Sequence, residues 1–251
     1  MTKMTKIFML AMSLVVVTCG AALATPSTQI WIPSTDVQAY KTVHLGIDGY
    51  VRTSKEGGFP NFYDIGLTAG VLPFEKIQAE IGIDYLDGGQ AGIPGSFNEK
   101  ADKSPIYFNW KLGTPEDSLF KYSPALAVGM YNMGTKLGTT TQNIAYGLAA
   151  KTLPIIGRLS VGGFHGSETA LGQGRNNGVL ASWDRTMSEI SDKLWMAVDY
   201  QSGNSALGAV NFGASWAFSK NVSVIFGYDI YNDVNFGGKN TFTTQLDINI
   251  P

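Results

Sequence analysis

The sequence predicts an all-β fold, a single closed antiparallel β-barrel of about twelve strands that crosses a membrane. Apolar and polar residues alternate with a period of two through most of the 251 residues, and this is the period of strands whose two faces meet different surroundings. The alternating segments are about ten residues long, which is the length that a tilted strand needs to cross a bilayer. Charged residues make up only 15% of the chain, against about 25% in ordinary soluble domains.

The clearest predicted strand runs from Lys76 to Leu86, and the segment that ends at Ile250 is equally regular. Ten further segments place apolar side chains at every second position, with the weakest pattern in the seventh and eighth. In chain order, the apolar faces of the twelve predicted strands are Val43, Leu45, Ile47 and Val51; Tyr63, Ile65, Leu67, Ala69 and Val71; Ile77, Ala79, Ile81, Ile83 and Tyr85; Ile106, Phe108, Trp110 and Leu112; Leu126, Val128 and Met130; Ile144, Tyr146, Leu148 and Ala150; Leu159 and Val161; Val179, Ala181 and Trp183; Leu194, Met196, Val198 and Tyr200; Val210, Phe212, Ala214, Trp216 and Phe218; Val222, Val224, Phe226, Tyr228 and Ile230; and Phe242, Thr244, Leu246, Ile248 and Ile250.

The connections between these segments predict the orientation of the barrel. Connections after even-numbered strands are mostly short. They lie around Pro73, Thr114-Pro115, Leu153-Pro154 and Ser219-Lys220, with a longer one at 186–192. Most connections after odd-numbered strands are longer and richer in glycine and polar residues. They span 54–60, 87–104, 134–141, 166–177 and 232–239, with 201–205 as a short exception. Short periplasmic turns and longer extracellular loops are a property of outer-membrane barrels, so we expect both termini on the periplasmic side.

The first 24 residues have the pattern of a cleaved secretory signal peptide. Lys3 and Lys6 precede an apolar stretch at 7–17, and Ala22-Leu23-Ala24 is a small-residue cleavage site. The only cysteine, Cys19, lies in this segment, and cleavage before it would instead give a lipoprotein. We therefore predict three parts: a signal peptide at 1–24, a short extension or plug at 25–39, and a transmembrane barrel at 40–251.

Three arguments indicate that the apolar side chains of the strands face lipid and do not pack into a dry core. Small residues crowd the opposite face and leave room for water in a twelve-stranded barrel, whose size lies between filled and open barrels. Aromatic side chains occur near strand ends, at the depth of lipid headgroups. A sheet in hydrocarbon must also close, because each unpaired backbone group there costs several kcal/mol.

The chain resembles the porin-like β-barrels of the Gram-negative outer membrane. This resemblance rests on the signal segment from Lys3 to Ala24 and on the twelve alternating segments, and it covers essentially the whole mature chain. No motif assigns a subfamily. The resemblance implies a location in the bacterial outer membrane, with membrane lipid and the outer-membrane assembly machinery as partners.

The polar face predicts a lumen that is more acidic than basic, with Arg52 as a further basic residue on that face. The predicted lumen-lining residues are Asp48, Asp64, Glu80, Asp84, Lys111, Lys151, Arg158, Asp199, Asp229 and Asp247. Rings of one charge sign select permeating ions of the other sign, so we expect a narrow channel for small polar or cationic solutes. In the alternative interpretation, these charges pair across the lumen and plug it.

A second hypothesis is an outer-membrane lipid hydrolase. Outer-membrane phospholipase A is a twelve-stranded barrel with a His-x-Ser pair on its lipid-facing surface, and this chain has His165-Gly166-Ser167. A histidine that polarises a serine hydroxyl is the minimum for nucleophilic attack. The residues after Ser167 depart from that family's pattern, and Asn176 or Asn177 would have to serve as the third group at a different spacing. The main prediction is therefore a protein that is not an enzyme.

A third hypothesis is a structural or adhesive barrel that acts through the loops at 87–104 and 166–177, because loops on rigid scaffolds often carry binding. No cofactor is predicted. His44 and His165 do not form a zinc pattern, and no loop carries enough carboxylates for calcium. A net charge of −2 and a pI near 5.7 exclude the electrostatic footprint of a nucleic-acid-binding protein. The sequence leaves the oligomeric state open.

Overall fold

The computed structural model describes residues 27–54, 56, 59–87 and 104–251. The predicted signal peptide and most of the predicted loop at 87–104 lie outside these residues. Twelve strands and one short helix make up the regular structure of the described part. They are β1 (Val43–Arg52), β2 (Phe62–Gly70), β3 (Gln78–Asp87), β4 (Ile106–Thr114), β5 (Ala125–Gly134), β6 (Thr141–Leu153), β7 (Gly157–His165), α1 (Glu168–Leu171), β8 (Asn177–Thr186), β9 (Leu194–Gln201), β10 (Ala209–Ser219), β11 (Val222–Tyr231) and β12 (Thr241–Ile250).

The twelve strands form one closed antiparallel barrel in chain order. Each strand pairs with its sequence neighbours, and β1 closes the ring against β12, with Val43 opposite Ile250 and Arg52 opposite Thr241. Closure satisfies the backbone hydrogen-bonding groups that an open edge would expose. The predicted fold class and strand number are confirmed.

The outer surface is apolar along eleven of the twelve strands, as the alternation predicts. Side chains such as Ile65, Ile81, Val161 and Phe226 are exposed there, between 46% and 60%, while their neighbours in sequence point inward. Among the described residues, no helix is both long and apolar enough to cross a membrane.

Strand β6 reverses the predicted faces. Its apolar residues Ile144, Tyr146, Leu148 and Ala150 are buried inside the barrel. Lys151 lies opposite the exposed Leu159 of β7, and directly paired residues of two strands share a face, so Lys151 is on the outer surface. The period of two is correct for this strand, but the prediction that its apolar residues face outward is wrong, because the lumen beside it is filled with apolar side chains.

Those side chains form the part of the lumen that we call the packed half. It is a cluster in which strands β6, β7 and β8, helix α1, the loop before β10 and the N-terminal segment each contribute. Its buried members are Ile32, Ile144, Tyr146, Leu148, Phe164, Leu171, Leu180 and Leu207. A smaller cluster of Ile30, Trp195, Ala197 and Ile225 adjoins the same segment.

The N-terminal segment before β1 lies inside the barrel. Residues 27–34 fold into a tight turn, the N-terminal hairpin, in which Thr28 pairs with Pro33 and the amide of Gln29 donates to the carbonyl of Ile32 at 2.8 Å. The chain then runs to the end of the barrel where the connections 154–156 and 220–221 are shortest, which we call the short-turn end. The opposite end is the long-loop end.

Two glycines of the wall provide room for this segment. A Cβ on Gly70 would collide with the carbonyl oxygens of Gln38 and Ala39, and a Cβ on Gly113 would lie 2.7 Å from a methyl group of Val37. At these two positions the N-terminal segment fills the space that the missing side chains leave.

Candidate functional site

The lumen is the candidate site, and its first feature is the anchoring of the hairpin tip on Asp199 of β9. One carboxylate oxygen accepts the backbone amides of Ile30 and Trp31 at 2.8 and 2.9 Å, with that of Ile32 at 3.4 Å. The other oxygen accepts from the side-chain amide of Asn211 at 2.6 Å. Hydrogen bonds to a charged acceptor are the strong ones, so the completely buried Asp199 fixes the tip.

The indole of Trp31, at the tip of the hairpin, packs near the long-loop end. Its nitrogen donates to the carbonyl of Leu207 at 2.9 Å. Its ring meets Tyr50, Phe62 and Tyr231 edge to face, with centroids 5.4, 6.2 and 5.8 Å away. This geometry is favourable for aromatic pairs, and it joins the hairpin to β1, β2 and β11.

Arg158 of β7 forms a second anchor near the short-turn end. It contacts Asp36 at 2.6 Å and Asp184 of β8 at 2.9 Å. The same Asp184 accepts the side-chain amide of Gln29 at 3.0 Å. Thus one arginine links the wall to the segment that follows the hairpin.

A buried ion pair forms the third anchor. Lys111 of β4 and Glu80 of β3 are 3.1 Å apart. The ammonium group also donates to the carbonyls of Ser27 and Asp36 at 2.8 and 2.7 Å, and Glu80 accepts the amide of Gln38 at 2.6 Å. The pair is compensated on both sides, as a buried pair must be.

Opposite the packed half, a cavity of about 160 Å³ separates the hairpin from the wall formed by β1 to β5, and we call this side the hollow half. Asp48, Asp64 and Asp84 line it. Asp48 and Asp64 are direct partners across β1 and β2. Asp84 accepts from the side-chain amide of Asn109 at 2.7 Å, whereas one buried carboxylate oxygen of Asp64 has no hydrogen bond with any residue in the described ranges.

These three carboxylates have no cationic partner among the described residues, since none takes part in an ion pair within 4.0 Å. Asp229 likewise takes part in no ion pair among the described residues, but it accepts from Thr241 at 2.6 Å, whereas Asp247 lies 3.5 Å from His44.

Lys151 does not join this lumen set. Its ammonium group lies 2.8 Å from Glu116 and 3.0 Å from Asp117, both in the turn between β4 and β5. Partial burial raises the pKa of Glu116, but hydrogen bonds from Lys151 and Thr152 lower it by a larger amount. The pKa of Glu116 therefore lies below its ordinary value.

Sequence reasoning did not find the residues of the N-terminal segment that contact the wall. Asp36, Gln29 and Gln38 sit in irregular structure, where no period assigns a face. The only available signal was the apolar Ile30-Trp31-Ile32 run, which is too short to be a strand of the barrel.

The residues of the hydrolase hypothesis are not assembled. His165 ends β7 on its outer face, and Asn177 of β8 lies directly opposite it. Ser167 precedes α1, and its amide donates to the carbonyl of Gln142 at 2.8 Å. Within the described part of the chain, no hydrogen bond joins the side chains of His165 and Ser167.

No group of three or more histidine, cysteine, aspartate or glutamate residues within the described ranges is arranged to hold a metal ion. Asp48 and Asp64 are direct partners across β1 and β2, and Asp84 lies diagonally to Asp64 on β3, so the carboxylates of the hollow half follow three neighbouring strands.

Comparison with known proteins places this geometry in a class. No protein-family pattern and no curated protein matches the sequence. Among solved structures, the KdgM porin is 7% identical with a TM-score of 0.50, over 84% of this chain and 98% of that chain. The outer membrane phospholipase of Salmonella typhi, a dimer with bound calcium, is 11% identical with a TM-score of 0.47, over 86% and 92%. The Escherichia coli outer membrane phospholipase A is 11% identical with a TM-score of 0.44, over 86% and 94%.

The fold is that of the outer-membrane β-barrels. At these identities the likeness concerns the fold only.

Proposed function

We propose that this protein is a narrow channel of the bacterial outer membrane for small polar or cationic solutes. The observation that carries the proposal is the hollow half, a cavity inside a closed barrel that is lined by three carboxylates without cationic partners. The apolar outer surface matches a barrel embedded in lipid. Membrane lipid and the outer-membrane assembly machinery are the partners that this location implies.

Cation preference follows from the charges that remain on the cavity wall. Lys111 forms an ion pair with Glu80, and Arg158 forms ion pairs with Asp36 and Asp184. These two basic residues therefore neutralise carboxylates other than the three that line the hollow half. Asp48, Asp64 and Asp84 have no such partner among the described residues, so their carboxyl groups remain available to a passing solute. A negative wall attracts cations and repels anions.

The N-terminal hairpin narrows this path. It crosses the lumen from its anchors near the short-turn end to the aromatic side chains around Trp31 near the long-loop end. A solute would pass between the hairpin and β1 to β5, through the cavity that Asp48, Asp64 and Asp84 line. On the other side, the packed half leaves no comparable polar route.

A transport role is preferred over lipid hydrolysis because no hydrogen bond joins the side chains of His165 and Ser167 among the described residues. Ser167→Ala is the direct check on that choice. We expect no change in any lipid hydrolysis that the purified protein shows, and a loss of hydrolysis in this variant would favour the enzyme.

The channel is tested by reconstituting the mature chain in planar bilayers and measuring the reversal potential across a KCl gradient. We expect a small conductance and a reversal potential whose sign shows a preference for cations. The triple variant Asp48→Asn/Asp64→Asn/Asp84→Asn should have a smaller reversal potential. The control Asp192→Asn changes a carboxylate in the exposed turn before β9 and should leave the selectivity unchanged. Absence of current from both the wild type and the anchor variant Arg158→Gln would remove the channel proposal.

A further inference from the structure

We propose that the hollow half contains a binding site for a short organic cation with several N–H donors, such as a diamine or a guanidinium compound. This inference rests on the proposed function and specifies which cationic solutes the lumen recognises. It begins from the cavity of about 160 Å³. A cavity of roughly 150 Å³ accommodates a molecule of the size of benzene, so the occupant has about six to eight non-hydrogen atoms.

The charge on the cavity wall requires a cation. Asp48 and Asp64 face each other across β1 and β2, and like charges in direct cross-strand positions destabilise a sheet. Asp84 lies on the next strand of the same wall, opposite Gly66. A buried carboxylate needs a partner, and in the described residues none of these three has a cationic one.

A second, independent feature is the hydroxyl group of Tyr146 on β6. This side chain is only 8% exposed and lines the cavity, yet its hydroxyl makes no hydrogen bond with the described residues. A Cβ on Gly129 would lie 2.7 Å from the hydroxyl oxygen, so the glycine leaves the space that this group occupies. The oxygen is an acceptor available to an N–H donor across the cavity from the carboxylates.

The spread of the acceptors selects the kind of cation. No three ligating side chains in the described ranges converge as a metal ion requires. A diamine places two ammonium groups several ångströms apart and can reach separate carboxylates. The aromatic lining from Trp31, Tyr50 and Tyr131 suits the methylene groups between them and also attracts cations through the ring faces.

The probe for this site is 1,4-diaminobutane, added to the full mature chain in lipid nanodiscs and followed by titration calorimetry. We expect saturable binding that weakens about tenfold or more in Asp64→Asn, because an ionic hydrogen bond is lost. Tyr146→Phe removes only the hydroxyl and should weaken binding by a smaller factor of about three. The neutral isostere 1,4-butanediol should not bind, and Asp192→Asn should bind as the wild type does.

Three results would overturn the site: no heat at millimolar diamine, unchanged affinity in both Asp64→Asn and Tyr146→Phe, or displacement of the diamine by calcium ions alone at lower concentration. Thermal unfolding of each variant distinguishes lost binding from lost folding. Binding without conductance in planar bilayers would remove the channel and keep the site, whereas conductance without binding would do the reverse.

Discussion

The two sides of the lumen differ although the same strand pattern builds both. In the packed half, Ile144, Leu148 and Leu180 fill the interior and meet Ile32 of the N-terminal segment. In the hollow half, the inward positions of β1 to β3 carry Asp48 and Asp64 among others and enclose a cavity. The alternation of a strand therefore identifies its apolar face but not whether that face points outward, because that depends on what the strand encloses. The packed half holds the hairpin by close packing, and the hollow half leaves a cavity beside it.

Removing Lys111 should produce the largest effect, because it would add a fourth uncompensated carboxylate to the hollow half. In Lys111→Met, Glu80 loses its ammonium partner, and we expect the free energy of unfolding in lipid to fall by about 3–5 kcal/mol. Urea titration in vesicles measures this. The double variant Glu80→Gln/Lys111→Met should recover much of the loss, and a double variant as unstable as the single one would contradict the charge argument.

In the packed half, Leu180→Ala should lower the free energy of unfolding by about 2–5 kcal/mol. The side chain is completely buried, and its removal leaves a void that neighbours fill only in part. Val179→Ala, on the outer face of the same strand, is the matched control. Its loss should be smaller, since lipid tails fill the space, and equal losses in the two variants would show that the interior here is not densely packed.

The attachment of the hairpin between the two halves depends on Asp199. In Asp199→Asn, weaker hydrogen bonds to the backbone amides of Ile30 and Trp31 should speed their hydrogen exchange about tenfold or more, because hydrogen bonds to charged groups contribute about 1.5–3 kcal/mol. Hydrogen exchange with mass spectrometry of the peptide around residue 30 measures this rate. Asp192→Asn serves as the control, and unchanged exchange in Asp199→Asn would mean that the tip is held by the Trp31 contacts instead.

Lys151→Ala should have the smallest effect. Its partners Glu116 and Asp117 are in a turn at the short-turn end, and exposed ion pairs contribute little to stability because water and salt screen them. We expect no clear change in the free energy of unfolding and an unaltered reversal potential in bilayers. A clear shift in ion selectivity would place the Lys151 charge on the permeation path and contradict the reversed faces of β6.

The sequence was sufficient to predict the barrel, its strand number and the faces of eleven strands, because period-two alternation follows directly from strand geometry. It failed on β6 because Tyr146 and Leu148 look like lipid-facing residues when nothing is known of the lumen. The residues that anchor the hairpin could not be predicted from the sequence either. The pairing of Arg158 with Asp36 and of Asp199 with the amides near Trp31 joins residues that are far apart in sequence, and no local pattern marks such pairs.

The position of the hairpin also constrains the order in which the barrel can assemble. The hairpin belongs to the first strand's own chain end, yet it rests on Asp199 of β9 and on Gln245 of β12, whose side-chain amide donates to the carbonyl of Ile30 at 2.7 Å. The seam between β1 and β12 is the last contact that a chain synthesised from its N-terminus can form. The hairpin therefore completes its contacts only after β12 is in place, and a chain shortened before β12 lacks both the seam and the hydrogen bond from Gln245 to Ile30.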